Sequence, residues 1–382
     1  MTDQAKLESA GETARETVTG DNNPGTSPER TPDTAAVDNH EQSNPATTTG
    51  ILGPQHWAQI AEENPFDDND ADSALGDDAA SSTASITSTI LNYRTIHGRT
   101  YHSDRGNAQY WASNDGPQNE AMDIIHHSLT LSTDGKLHLA PLKKDIKNAI
   151  DIGTGTGIWA IDFADEYPNT TVIGTDISPI QPSWVPPNLT FEIEDCTMPW
   201  TFRPETADYI HMRWLVGSVA DWTALFKEAY KTLEPGGYLE SCEASCYMES
   251  DDGTVDEKSA MNQWGKFFVE GGIKLGRTFL VVEEGVQRQA MEEAGFVDIE
   301  EWNFKNPIGG WSKDPKLKEM GRYVQAALEQ DIEGRVLFMA SVMVGWSKEE
   351  LQVYAAQLRR EMRSGKKHAY YRQKAVWGRK PE

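Results

Sequence analysis

A glycine-rich turn in the middle of the chain has the composition of a ligand-binding site. It follows residues 149–152, which are apolar except for the acidic Asp151, and it precedes an amphipathic segment. Glycine permits a tight reversal and lets a ligand lie against bare backbone, and a following helix offers free N–H groups to a carboxylate. The pattern therefore predicts a small-molecule site. The turn comprises Gly153, Thr154, Gly155, Thr156 and Gly157.

Two further acidic residues end the next two predicted strands. Asp176 closes TVIGTD, 19 residues beyond Gly157, and Asp195 follows FEIE. Acidic residues at this position of an open α/β sheet accept the hydroxyl groups of a ribose. We expect Asp176 to bind both hydroxyls. We further expect Asp195 to reach an adenine amino group and the Cys196 backbone to bond a ring nitrogen.

Two other interpretations of the turn have to be weighed. A dinucleotide site needs Gly-x-Gly-x-x-Gly, so that the helix N-terminus meets a pyrophosphate. Here the third glycine comes one residue early, and Asp151 would repel a pyrophosphate. Alternatively, the glycines serve only the packing of a helix on a strand, which leaves the three acidic positions unexplained. The pattern favours a ligand whose amino-acid end carries an ammonium group.

Candidate reacting groups lie at the ends of the fourth and fifth predicted strands, where open α/β sheets bind ligands. His211 in ADYIHMRW has a pKa suited to general-base catalysis, or it hydrogen-bonds a neighbouring backbone group. Arg213 is either a clamp for a substrate carboxylate or an internal partner of Asp221. Glu240 and Glu243 in GGYLESCEA are the other candidates, and we take Glu243 as the catalytic one.

The elements that position these residues alternate between strands and helices from about residue 145 to 245. GPQNEAMDIIHHSLTLST reads as an amphipathic helix before them, with Met122, Ile125 and Leu129 at helical spacing. Such alternation implies parallel pairing and right-handed crossovers. The sequence therefore predicts an α/β fold with a doubly wound, mostly parallel sheet.

Beyond this core, residues 254–282 form an aromatic-rich helical insertion, and residues 283–382 add further helices and strands. Trp264, Phe267 and Phe268 would line an apolar substrate pocket or simply form a helix core. Ser347 and Glu350 have the spacing of a capping box that opens SKEELQVYAAQLRREMR.

Charge and composition set the N-terminal region apart. The net charge is −25, and residues 1–90 hold 17 acidic residues against three basic ones. The only Trp, Tyr or Phe residues there are Trp57 and Phe66, too few to offset the entropy cost of folding. We predict that residues 1–85 are a disordered tail before a domain at 86–382. The tail is a protein-binding arm or a solvated extension.

Several classes of protein are disfavoured. Cys196, Cys242 and Cys246 are too few for a disulfide framework or a four-ligand zinc site, so we expect no metal and a reducing compartment. No signal peptide or membrane-spanning stretch is evident, which predicts a cytoplasmic protein. The acidic balance of the ordered part argues against direct nucleic-acid binding.

From Asn92 onwards the chain resembles the class I methyltransferases, specifically the fungal LaeA-like group. The segments that carry this resemblance are AIDIGTGTGIWAIDFADEYP, VIGTDISPIQP, FEIEDCTMPW, DYIHMRWLVGSVADW, LEPGGYLESCE and YYRQKAVWGRKP. It implies a Rossmann-like, seven-stranded sheet that binds S-adenosyl-L-methionine. It also implies that the lead-in segments fold over the cofactor, so that Tyr101 and Glu120 contact it. The implied cofactor residues from the core are Asp151, Gly153, Thr154, Gly155, Gly157, Asp176, Asp195 and Cys196.

The resemblance leaves two functions open. One is methylation of a small molecule or peptide in fungal secondary-metabolite biosynthesis, which we favour. The other is a LaeA-like nuclear regulator of secondary-metabolite gene expression, with the acidic tail as its docking arm. Methyl transfer is an in-line displacement that needs positioning more than a dedicated base. The sequence does not select the acceptor atom.

Overall fold

A computed structural model describes residues 50–64, 90–103 and 110–382. Within the predicted tail, it contains a helix, α1 (Pro54–Glu63). Trp57 on this helix is fully buried, its ring lies 5.4 Å from that of Tyr354, and its Nε1 donates to the Leu52 carbonyl. The prediction of disorder for the whole of residues 1–85 is therefore wrong for residues 50–64. Residues 1–49 and 65–85 of the predicted tail lie outside the described residues.

The centre of the fold is a seven-stranded sheet with strand order β5-β4-β3-β6-β7-β9-β8. Strands β3 to β7 pair in parallel, whereas β9 runs antiparallel to both β7 and β8. This confirms the predicted doubly wound, mostly parallel sheet. Its strands are β3 (Asn148–Ile152), β4 (Thr171–Asp176), β5 (Leu189–Ile193), β6 (Ala207–Arg213), β7 (Leu233–Ala244), β8 (Val297–Pro307) and β9 (Tyr370–Arg379). A separate hairpin consists of β1 (Arg94–Ile96) and β2 (Arg99–Tyr101).

Helices complete the layers around the sheet. The predicted amphipathic helix is present as α2, with Ile125 and Leu129 buried. The predicted capping box is also present, since Ser347 and Glu350 bond each other's backbone at the start of α9. The helices are α2 (Gly116–Ser132), α3 (Ile158–Glu166), α4 (Trp222–Thr232), α5 (Ala260–Leu275), α6 (Val286–Ala294), α7 (Pro315–Gln330), α8 (Ile332–Leu337) and α9 (Lys348–Arg363). A π-helical segment, Phe338–Val344, follows α8 directly.

The strand register brings the chemically interesting residues to one edge of the sheet. Asp151 on β3 pairs with His211 on β6, and His211 pairs with Glu240 on β7. Parallel strands deliver their carboxyl ends to the same edge, so the loops after β3, β4 and β6 meet there. No helix among the described residues has the length and apolar character needed to cross a membrane.

Candidate active site

A cavity opens at the carboxyl ends of β3, β4 and β6, where the sequence predicts a ligand. Residues from α2, from the segment before it and from α8 complete its walls. Eight of the residues predicted to be catalytic or cofactor-binding line this cavity, and we call it the polar cavity. They are Asp151, Gly153, Thr154, Gly155, Asp176, Cys196, His211 and Arg213.

Asp151 is the most tightly held acidic residue of the polar cavity. Its Oδ1 lies 2.7 Å from His211 Nδ1, and its Oδ2 accepts from Thr154 Oγ1 at 2.6 Å. The His211 ring stacks on Trp159 at 3.7 Å. Burial lowers the pKa of His211, so the ring is neutral near pH 7 and we assign its proton to Nδ1, facing Asp151. The histidine thus orients the carboxylate.

Asp176 joins the end of β4 to the glycine turn. Its carboxyl group accepts from the backbone N–H of Gly155 and of Ser178, both at 2.9 Å. Burial raises the pKa of Asp176 to about 6, although these N–H groups act in the opposite direction. The side chain therefore ionises close to neutral pH while it fixes the turn.

Arg213 is held by a short chain of polar groups. Its Nη2 lies 3.2 Å from His126 Nδ1, and His126 Nε2 lies 2.9 Å from Asp162. Burial lowers the pKa of His126, so neutral His126 accepts from the guanidinium and donates to Asp162. Asp221 instead caps α4 through the Ala224 N–H, so the proposed Arg213–Asp221 pair is wrong. Within the described residues Arg213 forms no ion pair.

Glu243, predicted to be catalytic, is not among the residues that line the polar cavity. Its two oxygens accept from the backbone N–H groups of Leu215 and Val216 at 3.1 and 2.9 Å. Burial raises the pKa of Glu243 to about 8, a shift typical of functional groups, but here the side chain supports the loop after β6. Glu240 similarly accepts from two backbone N–H groups. The geometry therefore contradicts a catalytic contact by Glu243.

Asp195 and Gly157 lie next to the polar cavity without lining it. Asp195 Oδ1 accepts from the backbone N–H and the hydroxyl of Thr197, whereas the neighbouring Glu194 lines the wall. Gly157 has a positive φ of 81°, and a Cβ there would lie 2.3 Å from the Phe191 ring. Gly157 is thus required by packing rather than by a ligand contact.

The two residues expected from the lid lie away from the polar cavity. Tyr101 is fully buried, with its ring 5.9 Å from that of Phe338. Glu120 is exposed and accepts from Gln330 on α7. Neither of these two side chains lines the polar cavity. The same segments contribute Tyr110, Asn114 and Gln118 to it instead.

A second cavity, which we call the aromatic cavity, adjoins the first. The two share Trp111, Ile125, Trp214 and Arg335 in their walls. Trp264 and Phe268 line the aromatic cavity, as one interpretation of the insertion suggests, whereas Phe267 packs on Trp346 and Tyr354. Sequence reasoning missed Trp214, Arg335 and Tyr371, which also line it. Of these three residues, only Trp214 could have been found from the sequence, because it directly follows Arg213 at the end of β6.

Trp214 sits at the junction of the two cavities with unusual backbone geometry. Its φ is +59°, a left-handed conformation that is uncommon for a bulky residue and is concentrated at functional sites. The described residues contain no cluster of three or more His, Cys, Asp or Glu that could hold a metal ion.

Comparison with known proteins gives a consistent result. Residues 124–301 match the family described as "Methyltransferase domain". "Methyltransferase pytC" of Aspergillus terreus is 36% identical over 305 residues, which cover 80% of this chain and 93% of the relative. "Secondary metabolism regulator LAE1" of Cochliobolus heterostrophus is 34% identical, covering 72% and 90%. "Probable methyltransferase tdiE" of Emericella nidulans is 30% identical, covering 72% and 86%.

Proposed function

The chain belongs to the fungal LaeA-like class I S-adenosylmethionine-dependent methyltransferases, and we propose that it methylates a small molecule or peptide of secondary metabolism in the aromatic cavity. One observation carries this proposal. The polar cavity at the strand ends adjoins an apolar cavity, and the two have a wall of four residues in common. A cofactor in the first and an acceptor in the second would meet at that wall, as in-line transfer requires.

The residues of the polar cavity fit S-adenosylmethionine. Gly153 and Gly155 offer bare backbone to the methionine part, and Asp176 offers a carboxylate to the ribose hydroxyls. Arg213, which lacks a carboxylate partner among the described residues, would bind the carboxylate of the cofactor. Glu194 and Cys196, in place of the Asp195 side chain, would face the adenine. When bound, the cofactor supplies a methyl group on a positively charged sulfur.

The protein contributes positioning and exclusion of water to the reaction. His211 holds Asp151 through a 2.7 Å hydrogen bond, so in this proposal it is a positioning residue and not a general base. Trp111, Trp214, Trp264 and Phe268 surround the acceptor with apolar surface. Such a site supplies orientation and desolvation, which account for much of the acceleration of a displacement reaction.

The similarity to LAE1 supports a second candidate, a regulator that acts through a protein partner in the nucleus. In that case the acidic tail would be the docking arm, and the same fold and cofactor site would serve it. We prefer the metabolic function, carried out in the cytoplasm, because the aromatic cavity is apolar. Among the described residues that line it, Arg335 is the only charged one. A flexible protein side chain such as lysine or arginine does not require such a pocket.

Titration calorimetry with S-adenosylhomocysteine tests the cofactor part. Arg213→Met should weaken binding by about tenfold or more, equivalent to about 1.4 kcal/mol. Arg379→Met, which removes a surface partner of Asp298, is the matched control and should have no effect. Labelled methyl from the cofactor should then enter the small-molecule fraction of a fungal metabolite extract. Absence of binding, or transfer only into protein, would contradict the proposal.

A further inference from the structure

We propose that the acceptor carries a carboxylate on an aromatic or otherwise apolar body, and that Arg335 binds this carboxylate. This inference rests on the proposed function, because it assigns the aromatic cavity to the methyl acceptor. It goes further by naming the chemical class of that acceptor and the residue that selects it.

Arg335 on α8 is buried and lacks hydrogen-bond partners on one edge. Only 4% of the residue is exposed, and it lines both cavities. Its Nε and Nη2 atoms have no hydrogen-bond partner within the described part of the chain. The guanidinium carbon lies 6.0 Å from the centre of the Trp214 ring. A buried cation without a hydrogen-bonded counter-charge costs several kcal/mol, which a carboxylate ligand would offset.

The nitrogens without partners are the pair suited to a carboxylate. Nε and Nη2 form the edge of the guanidinium that binds two carboxylate oxygens side by side. Arg99 uses the same edge to bind Asp115, at 2.5 Å from Nε and 2.6 Å from Nη2. Two acidic residues precede Arg335 closely in sequence, and both are bonded elsewhere. Asp331 binds Arg99 and the Gly334 N–H, and Glu333 binds Arg359.

The rest of the aromatic cavity complements an anion rather than a cation. None of the described residues that line it is acidic. Two further donors, Trp214 Nε1 and the Tyr371 hydroxyl, are buried and have no partner among the described residues. Burial raises the pKa of Tyr371, so its hydroxyl keeps its proton and remains a donor. The Tyr371 ring meets the Trp214 ring edge-on at 6.2 Å, so the two residues are neighbours.

The two arginines of the site have separate roles. Arg213 ends β6, next to the strand that leads into the glycine turn, and it is tied to His126. It also lines the polar cavity but not the aromatic cavity. Arg335 comes from α8 and lines both. We therefore assign the cofactor carboxylate to Arg213 and the acceptor carboxylate to Arg335.

Binding of two matched probes to the full chain saturated with S-adenosylhomocysteine tests this assignment. 2-Naphthoate carries the carboxylate, and 2-naphthamide is its neutral counterpart of similar size. By titration calorimetry, the wild type should bind 2-naphthoate at least tenfold more tightly than 2-naphthamide. Arg335→Met should reduce this preference below twofold, and Arg335→Lys, which keeps the charge but loses the paired edge, should retain only part of it. Arg379→Met is the control and should keep the full preference.

The outcomes separate the two levels of the argument. A wild type that does not bind S-adenosylhomocysteine refutes the proposed function itself. A wild type that binds it but shows no preference for 2-naphthoate overturns only the assignment of Arg335. The same holds if Arg335→Met keeps the preference, or if it weakens S-adenosylhomocysteine tenfold, because Arg335 would then serve the cofactor. If Arg335→Met fails to fold, the Arg335→Lys variant and the wild-type comparison still decide the question.

Discussion

His211 Nδ1 lies 2.7 Å from Asp151 Oδ1, and the two residues are direct partners in the register of β6 and β3. The histidine is therefore committed to the acidic residue that precedes the glycine turn. A general base would need Nε2, the nitrogen that does not face Asp151, to reach the acceptor, whereas His211 lines the polar cavity and not the aromatic cavity. We therefore expect His211 to shape the polar cavity.

Replacing His211 separates these two roles. His211→Phe keeps a ring against Trp159 but removes one of the two hydrogen bonds to Asp151. S-adenosylhomocysteine affinity should fall about tenfold, and His211→Gln, which keeps a donor, should recover part of it. Turnover at saturating cofactor should fall less than tenfold. A drop in turnover of about 10² or more with unchanged cofactor affinity would instead identify a general base.

Asp176 makes cofactor binding dependent on pH. Burial raises its pKa to about 6, and the ionised carboxylate is the form that accepts from ribose hydroxyls. Affinity for S-adenosylhomocysteine should therefore be about fourfold lower at pH 5.5 than at pH 7.5, from the fraction ionised at each pH. Asp176→Asn should bind more weakly and lose this dependence. Calorimetry at the two pH values tests this. If Asp176→Asn kept the wild-type pH dependence of affinity, Asp176 would not be its cause.

Glu243 should act on stability. In Glu243→Ala the N–H groups of Leu215 and Val216 lose their acceptors, and an unpaired buried donor costs about 1–3 kcal/mol. Thermal unfolding should show a clear fall in Tm, comparable to that of Glu240→Ala, which loses bonds to residues 139 and 140. An unchanged Tm together with lost turnover would restore the catalytic assignment of Glu243.

The segment around α1 gives a fourth prediction. Trp57→Ala should lower the free energy of unfolding by about 3–5 kcal/mol, because a fully buried indole is removed. Deletion of residues 1–64 should lower the free energy of unfolding similarly, whereas deletion of residues 1–49 should leave it unchanged. Chemical denaturation of these three variants and of the wild type checks this. Equal stability of both deletions would mean that α1 adds nothing to the fold.

The sheet and much of the lining of the polar cavity could be predicted because their signals are local. The glycine turn and Asp176 stand at fixed positions relative to strands that the apolar pattern marks. Composition wrongly predicted disorder for residues 50–64. Trp57 packs on Tyr354, almost 300 residues away in sequence, and no local property of the sequence reveals that contact. Tyr101 and Glu120 do not line the polar cavity, although their segments do, because position in the sequence does not fix the direction of a side chain.

The aromatic cavity could not be predicted for a related reason. Trp214, Arg335 and Tyr371 come from the end of β6, from α8 and from β9, and no spacing links them. That Arg335 Nε and Nη2 have no hydrogen-bond partner among the described residues is visible only in the three-dimensional packing. Glu243 shows the converse, since a pattern typical of catalysis proved to serve a loop.

The two cavities are lined mostly by different parts of the chain. Residues 151–213 supply most of the lining of the polar cavity, whereas residues 244–371 supply most of the lining of the aromatic cavity. Mutations in the later segments can therefore alter which molecule is accepted without disturbing the methyl donor. Such a division lets duplicated genes keep one inherited reaction while their substrates diverge, and it makes conservation of the glycine turn a poor guide to the product.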